Sequence, residues 1–501
     1  MKIKKEIVIL LVIFLLTFGT RLFLVLPAEN FSANAYFDLR QVEHIKETGL
    51  PLYQDELSYG GRTLLFPPFF HYSLALFNIF LPLELVGKVI PNLMISCLVF
   101  VVYLIAKKLT KQKEAALFTA FISGFVPVIF AKTIFSVSIY CLILPLMFLG
   151  LYSLMNIDKK KYVYLSILII VVLSLTSSMA VLLILGLLVY LVFSEVEILK
   201  RNRSETELII FATFVFFWIQ FLFYKNAFLS HGLALVWRNI PDQLLAQQFS
   251  SISIFSALIQ IGFIPFICGI FIIYKYVLKE KNKYIYMYVS LAMVVTLLLW
   301  LRLIDPVMGL MFLGLSLTIL FAQFFKMFFD YLKRTKFNRF KTGIIVVMVG
   351  IFVLTSVWPS FSYASDERDN LVSDELIQAL QWLSKETPKD STILGNLREG
   401  YLITAVAQRK NVMDTNFLLI GDSNEIFDDV ELIYSTTHQI QAVDLLNKYD
   451  VDYIIISNYT KNFYDIESLD YEEESCIKIA YKTSKIKIFK TTCKIEENVF
   501  G

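Results

Sequence analysis

Long apolar stretches dominate the first 358 residues of the chain, and a more polar segment, 359–501, follows them. A helix needs roughly 20 mainly apolar residues to cross a bilayer. The pattern therefore predicts a polytopic α-helical membrane domain with about eleven spans. Several runs are shorter than a full span, so two of them could merge or tilt. The predicted spans lie at 7–26, 86–106, 115–131, 139–155, 162–175, 179–193, 208–224, 254–277, 284–301, 307–325 and 343–358.

Composition and charge placement support this interpretation. Hydrophobic residues make up 57% of the chain and charged residues 18%, which departs from a soluble domain. Lys and Arg cluster at 2–5, 107–113, 159–161, 200–203, 275–283 and 326–341. Cytoplasmic loops carry the Lys/Arg excess. We therefore expect an integral protein of the plasma or cell membrane, with a cytoplasmic N-terminus and an extracytoplasmic 359–501 segment. The net charge of +3 gives no support for a nucleic-acid partner.

Two predicted external segments are large enough to hold a site. The first, 27–85, separates spans one and two. Within it, apolar residues at helical spacing predict a helix over 35–47, and Gly49 is placed to end it. The Phe66-Pro-Pro sequence then opens a run to Leu81, which we interpret as an amphipathic helix lying in the membrane interface. We therefore divide the chain into a membrane domain, 1–358, which includes this loop, and an external domain, 359–501.

The second external segment has the pattern of an α/β domain. Helices are predicted at 373–385, 399–408 and 439–448, and strands at 392–394, 411–414, 452–457, 477–481 and 486–490. The last two strands form a predicted hairpin. Cys476 and Cys493 flank this hairpin and are the only cysteines outside the predicted spans. An oxidising compartment would allow them to form a disulfide.

Two stretches carry a resemblance to a known family. The first combines a span ending near Arg21, an acidic helix with a Tyr-Phe-x-x-Arg element at 36–40, and a helix that starts with proline. The second includes Trp382-Leu-Ser-Lys-Glu-Thr-Pro, the Gly-Tyr-Leu-Ile-Thr sequence from 400 and the Asp-Thr-Asn sequence from 414. Together they resemble the glycosyltransferase C superfamily, in particular the catalytic subunit of oligosaccharyltransferase and its archaeal relatives. The resemblance implies transfer of a sugar from a dolichyl-type polyprenyl phosphate or pyrophosphate to a glycan, lipid or protein acceptor.

This chain departs from the family pattern at positions that concern recognition of the acceptor and binding of a metal ion. Where the family has Trp-Trp-Asp-Tyr-Gly, which recognises the acceptor sequon, this chain has Asn-Leu-Arg-Glu-Gly at 396–400. We therefore do not expect it to glycosylate Asn-x-Ser/Thr sites. The family's first-loop aspartate falls on Asn34, and its second acidic motif matches 132–139, which contains no carboxylate. Asn34 and Asp38 remain as candidate ligands for Mg²⁺ or Mn²⁺, which prefer several oxygen ligands. Because several of the family's carboxylate ligands are missing, two alternatives stay open: a metal-independent reaction, or no reaction at all.

The chemistry of sugar transfer selects the candidate residues. A carboxylate must deprotonate the acceptor, and Asp38 and Glu29 are the candidates for this base. A cation must stabilise the leaving phosphate, and Arg302, at the outer end of the ninth predicted span, is suited to it. Asp38 could instead pair with Arg40, and Arg302 with Asp305. Further candidates for contact with the substrate are Asn34, Arg40, Arg62, Lys132 and Arg238.

Three functional hypotheses follow. The leading one is an inverting membrane glycosyltransferase. The alternative is a non-catalytic scaffold or a protein that binds lipid-linked sugars, which the missing carboxylates would explain. Transport of a lipid-linked glycan is disfavoured, because few polar residues fall near the centres of the predicted spans.

Overall fold

The computed structural model describes residues 5–232, 244, 249, 252–416, 419, 423–472 and 476–493. Contacts divide the chain into two compact units. The helical unit comprises Met1–Ala28, Pro67–Phe223 and Gln243–Asn370. The α/β unit comprises Glu29–Phe66, Tyr224–Asp242 and Leu371–Gly501.

The α-helices are α1 (Lys5–Val25), α2 (Ala35–Thr48), α3 (Phe69–Asn78), α4 (Leu83–Ser96), α5 (Leu98–Thr110), α6 (Lys113–Ser123), α7 (Pro127–Ile134), α8 (Tyr140–Leu154), α9 (Lys160–Thr176), α10 (Val181–Val196), α11 (Arg203–His231), α12 (Ile254–Ile261), α13 (Phe263–Leu278), α14 (Lys283–Trp300), α15 (Pro306–Lys333), α16 (Lys341–Phe352), α17 (Trp358–Asp369), α18 (Asp374–Glu386), α19 (Gly400–Leu402), α20 (Ser423–Ser435), α21 (Gln439–Lys448) and α22 (Asn458–Tyr464). The strands are β1 (Thr392–Leu394), β2 (Lys410–Asn411), β3 (Tyr453–Ile456), β4 (Ile477–Lys482) and β5 (Lys487–Thr491). Short 3-10 helices cover Ser178–Ala180 and Lys336–Phe340, and π-helical turns cover Val353–Val357 and Ile403–Ala407.

The helical unit has the apolar helices of an integral membrane protein. Among the described residues, seven helical stretches are long and apolar enough to cross a membrane, or nine if each of two bent pairs counts as one span. Two of the eleven predicted runs form α8 and α9, with 15 and 17 residues, which is less than the roughly 20 that a span needs. The apolar runs are therefore helical, as predicted, but length supports fewer spans than eleven.

Specific residues set the breaks between these helices. The pair α12–α13 is bent by 91°, and Gly262 lies at the break with φ +98°. Only glycine adopts this backbone conformation without strain. At the start of α15, the Asp305 carboxylate accepts a hydrogen bond from the Met308 N–H at 2.8 Å, and Pro306 follows as the first helical residue. Both features are typical of a helix N-terminus.

The α/β unit is built on one five-stranded sheet with the order β2-β1-β3-β5-β4. Strand β1 pairs in parallel with β2 and β3, whereas β5 pairs antiparallel with β3 and β4. The core of this unit includes Leu376, Leu380 and Leu383 of α18, packed with Ile393 of β1 and Ile455 of β3. All five predicted strands are present, with bounds that shift by up to a few residues.

The helix content of the tail differs from the sequence prediction in four places. Helix α21 has the predicted bounds, and α18 lies within one residue of its own. The predicted helix over 399–408 is instead the short α19 followed by a π-helical turn. Helices α20 and α22 were not predicted, and α17 extends the last apolar helix region to Asp369.

The first external loop packs within the α/β unit. Helix α2 ends at Gly49, which has φ +80°, and it buries Leu39, Val42 and Ile45. The Asn411 N–H of β2 donates a hydrogen bond to the Leu57 carbonyl at 2.9 Å. Residues 29–66 therefore share a unit with the tail, whereas the sequence division assigned the whole 27–85 loop to the membrane domain. The expected interfacial helix is α3, which has 10 residues and belongs to the helical unit.

A disulfide joins Cys476 to Cys493 across the β4–β5 hairpin, with Cα atoms 4.9 Å apart. This is the pair that the sequence predicts. The remaining cysteines, Cys97, Cys141 and Cys268, are free thiols in the helical unit.

Candidate active site

Helix α2 carries Asp38 in its first turn and Arg40 half a turn later. The two terminal nitrogens of Arg40 donate to the two carboxylate oxygens of Asp55 at 2.6 and 2.8 Å. Asp55 is buried, and a bidentate arginine–carboxylate pair is among the strongest hydrogen-bonded ion pairs in proteins. Arg40 therefore pairs with Asp55. This contact favours a structural role for Arg40, which fixes α2 to the loop that follows it.

A second ion pair joins the same loop to the segment after β2. Nη2 of Arg62 donates to Oδ2 of Asp414 at 2.7 Å, and the two side chains are only 8% and 1% exposed. Asp414 also accepts from Nδ2 of Asn411 at 3.0 Å and from the Asn416 N–H at 2.8 Å. Within the described residues, Nε and Nη1 of Arg62 are buried and have no hydrogen-bond partner. Buried donors in native proteins almost always have a partner, so these two indicate a position for a polar ligand atom or a water molecule.

Tyr401 interacts electrostatically with Asp38 and with both members of the Arg62–Asp414 ion pair. Its ring lies 4.8 Å from that of Phe37, the residue before Asp38. Burial raises the pKa of Tyr401 well above its usual range; the Asp414 and Asp38 carboxylates raise it further, while Thr415 and Arg62 act in the opposite direction. The Tyr401 hydroxyl is therefore a neutral donor. The structure thus brings the candidate base Asp38 within electrostatic range of the group that Arg62 and Asp414 also reach.

Glu29 and Asn34 lie before α2. Glu29 is exposed, and Asn34 is the N-cap residue of α2, although its side chain makes no capping hydrogen bond. Among the described residues, no group of three or more His, Cys, Asp or Glu side chains is placed to hold a metal ion. Mg²⁺ and Mn²⁺ prefer several oxygen ligands, so Asn34 and Asp38 alone do not fit such an ion. We derive no chemical step through a metal.

The helical unit holds the other candidate cations. Nζ of Lys132, on α7, forms an ion pair with Oε1 of Glu367. Arg302 is exposed in the turn between α14 and α15, with φ +55°, and its guanidinium carbon lies 5.5 Å from the centre of the Phe249 ring. The alternative pairing of Arg302 with Asp305 is not among the ion pairs of the described residues, and Asp305 caps α15. Arg238 lies outside the described residues.

One buried cation escaped the sequence prediction of the site. Arg21, on α1, is 1% exposed and donates through Nε to Asn92 at 2.7 Å and through Nη2 to Thr133 at 2.6 Å. Its guanidinium also lies over the Phe130 ring, 5.1 Å from the centre. The signal for it in the sequence is a charged residue inside an apolar run, which generally indicates a buried contact or a function.

A buried carboxylate was also missed. Glu399 is fully buried where the family resemblance places the sequon-binding motif. It accepts hydrogen bonds from the Asn396 N–H at 2.7 Å, from Thr460 at 2.8 Å and from the Ser457 hydroxyl. Burial raises its pKa from 4.5 to about 7, although these three hydrogen bonds act to lower it. Glu399 joins the segment after β1 to the start of α22, and this contact indicates a structural role.

The fold of the chain is similar to that of solved oligosaccharyltransferase and ArnT structures, in agreement with the fold that the sequence resemblance implies. No family model and no curated protein matches the sequence. The chain is similar to the archaeal oligosaccharyltransferase AglB from Archaeoglobus fulgidus, solved in complex with an inhibitory peptide and a dolichol-phosphate. The TM-score is 0.72 at 12% identity, over 92% of this chain and 70% of that one. The Archaeoglobus fulgidus oligosaccharyltransferase in complex with Zn and sulfate gives 0.71 at 14% identity, over 96% of this chain and 73% of that one.

A second neighbour comes from a bacterium. The chain is similar to ArnT from Cupriavidus metallidurans bound to undecaprenyl phosphate, with a TM-score of 0.55 at 11% identity, over 96% of this chain and 97% of that one. Identities this low establish the shared fold alone.

Proposed function

We propose that the protein is a membrane glycosyltransferase that moves a sugar from a polyprenyl phosphate or pyrophosphate donor to an extracytoplasmic acceptor. The fold similarity carries this proposal, because two fold neighbours were solved with dolichol-phosphate and with undecaprenyl phosphate, respectively. In the same proposal the N-terminus is cytoplasmic and the α/β unit lies outside the membrane, which follows from the placement of Lys and Arg.

The proposed reaction is a single inverting displacement at the anomeric carbon. Asp38, or Glu29 in its place, takes the proton of the acceptor nucleophile as that atom forms the new bond to the anomeric carbon. The anomeric C–O bond to the donor breaks, and the leaving phosphate oxygen keeps the electron pair. Arg302 stabilises this charge, because an exposed guanidinium can offer two parallel N–H donors to phosphate oxygens. Lys132 is a further cation for the same charge, although its pairing with Glu367 must then be shared or broken.

Arg62 has a different role in this proposal. Asp414 holds its Nη2, while Nε and Nη1 are buried and have no partner, so an oxygen of the substrate can accept from them only if neighbouring side chains move aside. The adjacent Asp414 carboxylate disfavours an anion at this point, whereas a sugar or acceptor hydroxyl can accept from Arg62 without repulsion. We assign Arg62 to the binding of such a hydroxyl. Asn34, at the start of the same helix as Asp38, is a further position for a substrate contact.

The residues at 396–400 bear on the class of acceptor. The segment 396–400, where the related family binds the sequon hydroxyl, here contains a structural carboxylate, Glu399, with all its described contacts inside the α/β unit. This supports an acceptor other than an Asn-x-Ser/Thr sequon.

Donor consumption tests the proposal directly. The full chain in nanodiscs is supplied with short-chain polyprenyl phosphate and pyrophosphate sugars and with cell-envelope extract, and the released lipid phosphate is measured by mass spectrometry. We expect release that falls strongly in Asp38→Asn or Glu29→Gln and in Arg302→Gln. Glu56→Gln, an exposed acid of the same loop, is the matched control and should retain full turnover. Release that survives all three substitutions would refute the assignment of these residues.

The non-catalytic alternative rests on the sequence, which lacks the family's carboxylates at Asn34 and over 132–139. It predicts binding of the lipid-linked sugar without release of the lipid phosphate across the whole donor panel. Parallel reactions with and without EDTA distinguish a metal-dependent transferase from a metal-independent one. Loss of release in EDTA would indicate a divalent ion, and unchanged release would indicate a metal-independent transferase.

A further inference from the structure

A polar groove of about 570 Å³ runs along one side of α2 in the α/β unit. Its other side is formed by the turn before β1 and by the π-helical turn before β2. Ligand pockets in proteins typically have volumes of about 300–1,000 Å³, so this groove has the capacity for a small oligosaccharide or peptide. No residue assigned above to the transfer chemistry lines it, apart from Arg40, whose terminal nitrogens bind Asp55.

The walls of the groove carry side chains that make no hydrogen bond or ion pair in the described part of the chain. On α2 these are Glu43, His44 and Glu47. Across the groove they are Lys389, Asp390 and Gln408. Hydrogen-bond acceptors and donors therefore stand on both walls, and carboxylates outnumber the one unpaired ammonium group.

Arg409 lines the groove but offers no donor to an anion. Arg409 is buried, and its guanidinium donates to Oγ1 of Thr387 at 3.0 Å and to the carbonyls of Ala407 and Thr387 at 3.2 and 2.6 Å. Further bonds to the Gln408 and Ser384 carbonyls leave it no free donor direction. The aliphatic side chains of Leu52 and Leu57 also line the groove.

This combination selects one class of ligand. A phosphate or an acidic sugar would meet three carboxylates and only one available cation. A neutral sugar has hydroxyl groups that donate to Glu43 and Glu47 and accept from Lys389 and Gln408, and its C–H face can rest on leucine side chains. We infer that this groove binds a neutral oligosaccharide. The inference rests on the proposed function only in identifying this oligosaccharide as part of the acceptor.

The groove is separate from the candidate base. At 100° per residue, Asp38 points to the side of α2 opposite Glu43, His44 and Glu47, across a helix about 10 Å in diameter. The sugar in the groove is therefore remote from the reacting nucleophile. Binding energy from such remote groups can position the acceptor without participating in the chemistry.

Saturation-transfer NMR on the full chain in nanodiscs tests this inference without requiring turnover. The probes are chitotriose, maltotriose and mannotriose as neutral trisaccharides, trigalacturonate as an acidic one, and trilysine as a cationic peptide. We expect at least one neutral trisaccharide to bind, and its Kd to rise about tenfold in Glu43→Gln/Glu47→Gln, which weakens charge-assisted hydrogen bonds. Lys389→Met should also weaken binding. Lys46→Gln, exposed on α2 but outside the groove, is the matched control and should not change the Kd.

Each outcome decides the inference. Preference for trigalacturonate or trilysine, or neutral binding unaffected by both groove variants, overturns it. Absence of binding by every neutral trisaccharide also overturns it. Asp38→Asn should retain trisaccharide binding, so a protein that binds the sugar but releases no lipid phosphate would refute the proposed reaction and leave the groove assignment standing.

Discussion

Nη2 of Arg62 lies 2.7 Å from Oδ2 of Asp414, a residue 352 positions later in the sequence. Both side chains are almost completely buried. We therefore expect Arg62→Leu or Asp414→Leu alone to lower the free energy of unfolding of the α/β unit by about 3–5 kcal/mol, because each leaves an unpaired buried charge. The double substitution should recover much of that loss. Urea unfolding of the full chain, followed by hydrogen exchange within the α/β unit, measures both.

The exposed pair Lys461–Glu467 provides the control for this experiment. Its atoms are 3.0 Å apart, but the Glu467 side chain is 93% exposed. Glu467→Gln should change the free energy of unfolding by less than about 1 kcal/mol. Single variants at Arg62 and Asp414 that behave like Glu467→Gln would show that their pairing does not stabilise the unit.

Glu399 predicts a pH dependence of stability. Burial raises its pKa from 4.5 to about 7, so the folded state holds this proton over a pH range in which the unfolded state has lost it. The stability of the α/β unit therefore falls as pH rises from about 5 to about 7, by up to about 3 kcal/mol from this group. Glu399→Gln should flatten the curve in this window. Denaturant midpoints at pH 5, 6, 7 and 8 for both proteins provide the test, and curves of equal slope would contradict it.

The disulfide between Cys476 and Cys493 closes a loop with a sequence separation of 17 residues. Loops of this size predict a stabilisation of about 3 kcal/mol, chiefly through the unfolded state. Cys476→Ser should lower the unfolding midpoint accordingly, and a reducing agent should lower the native protein to the same value. Alkylation followed by intact-mass measurement should leave these two cysteines unlabelled. Two labelled thiols in the native protein would exclude the bond under the conditions used.

Arg302 offers a test of phosphate stabilisation. We expect Arg302→Asn to lower turnover about a hundredfold, the scale of losing one charge-stabilising group, and Arg302→Lys to lie between it and the native protein. Asparagine is chosen because it tolerates the φ of +55° found here better than most residues. Donor-consumption rates and thermal midpoints are measured together. Full turnover in a stable Arg302→Asn protein would remove Arg302 from the mechanism.

Local signals explain which parts of the fold could be predicted. Helix α2 was predicted over 35–47 and extends over Ala35–Thr48, because its apolar spacing and the glycine that ends it are both contained in the segment. Strand β1 also has its predicted bounds, because the signals for it are likewise contained in its own segment. In α20, which the prediction lacks, Ile426, Val430 and Ile433 have helical spacing, so the sequence does contain a local signal for this helix.

The site could be predicted only in part, because its contacts join distant segments. Asp38 was correctly placed in the first turn of a helix, but the partner of Arg40 is Asp55, which no spacing rule favours over Asp38. The pairing of Arg62 with Asp414 depends on tertiary packing in the same way. The inclusion of residues 29–66 in the α/β unit could not be inferred from hydropathy, which reports only that the loop is polar.

Because residues 29–66 belong to the α/β unit, the order of synthesis determines when this unit can complete its fold. Residues 29–66 leave the ribosome long before Asp414 exists, and at 5–20 residues per second the 352 intervening positions take about 20–70 s to synthesise. During this delay the apolar face of α2 has no partner from the tail. We therefore expect the nascent loop to need shelter from a chaperone or from the lipid surface, and its maturation to be a late, post-translational event.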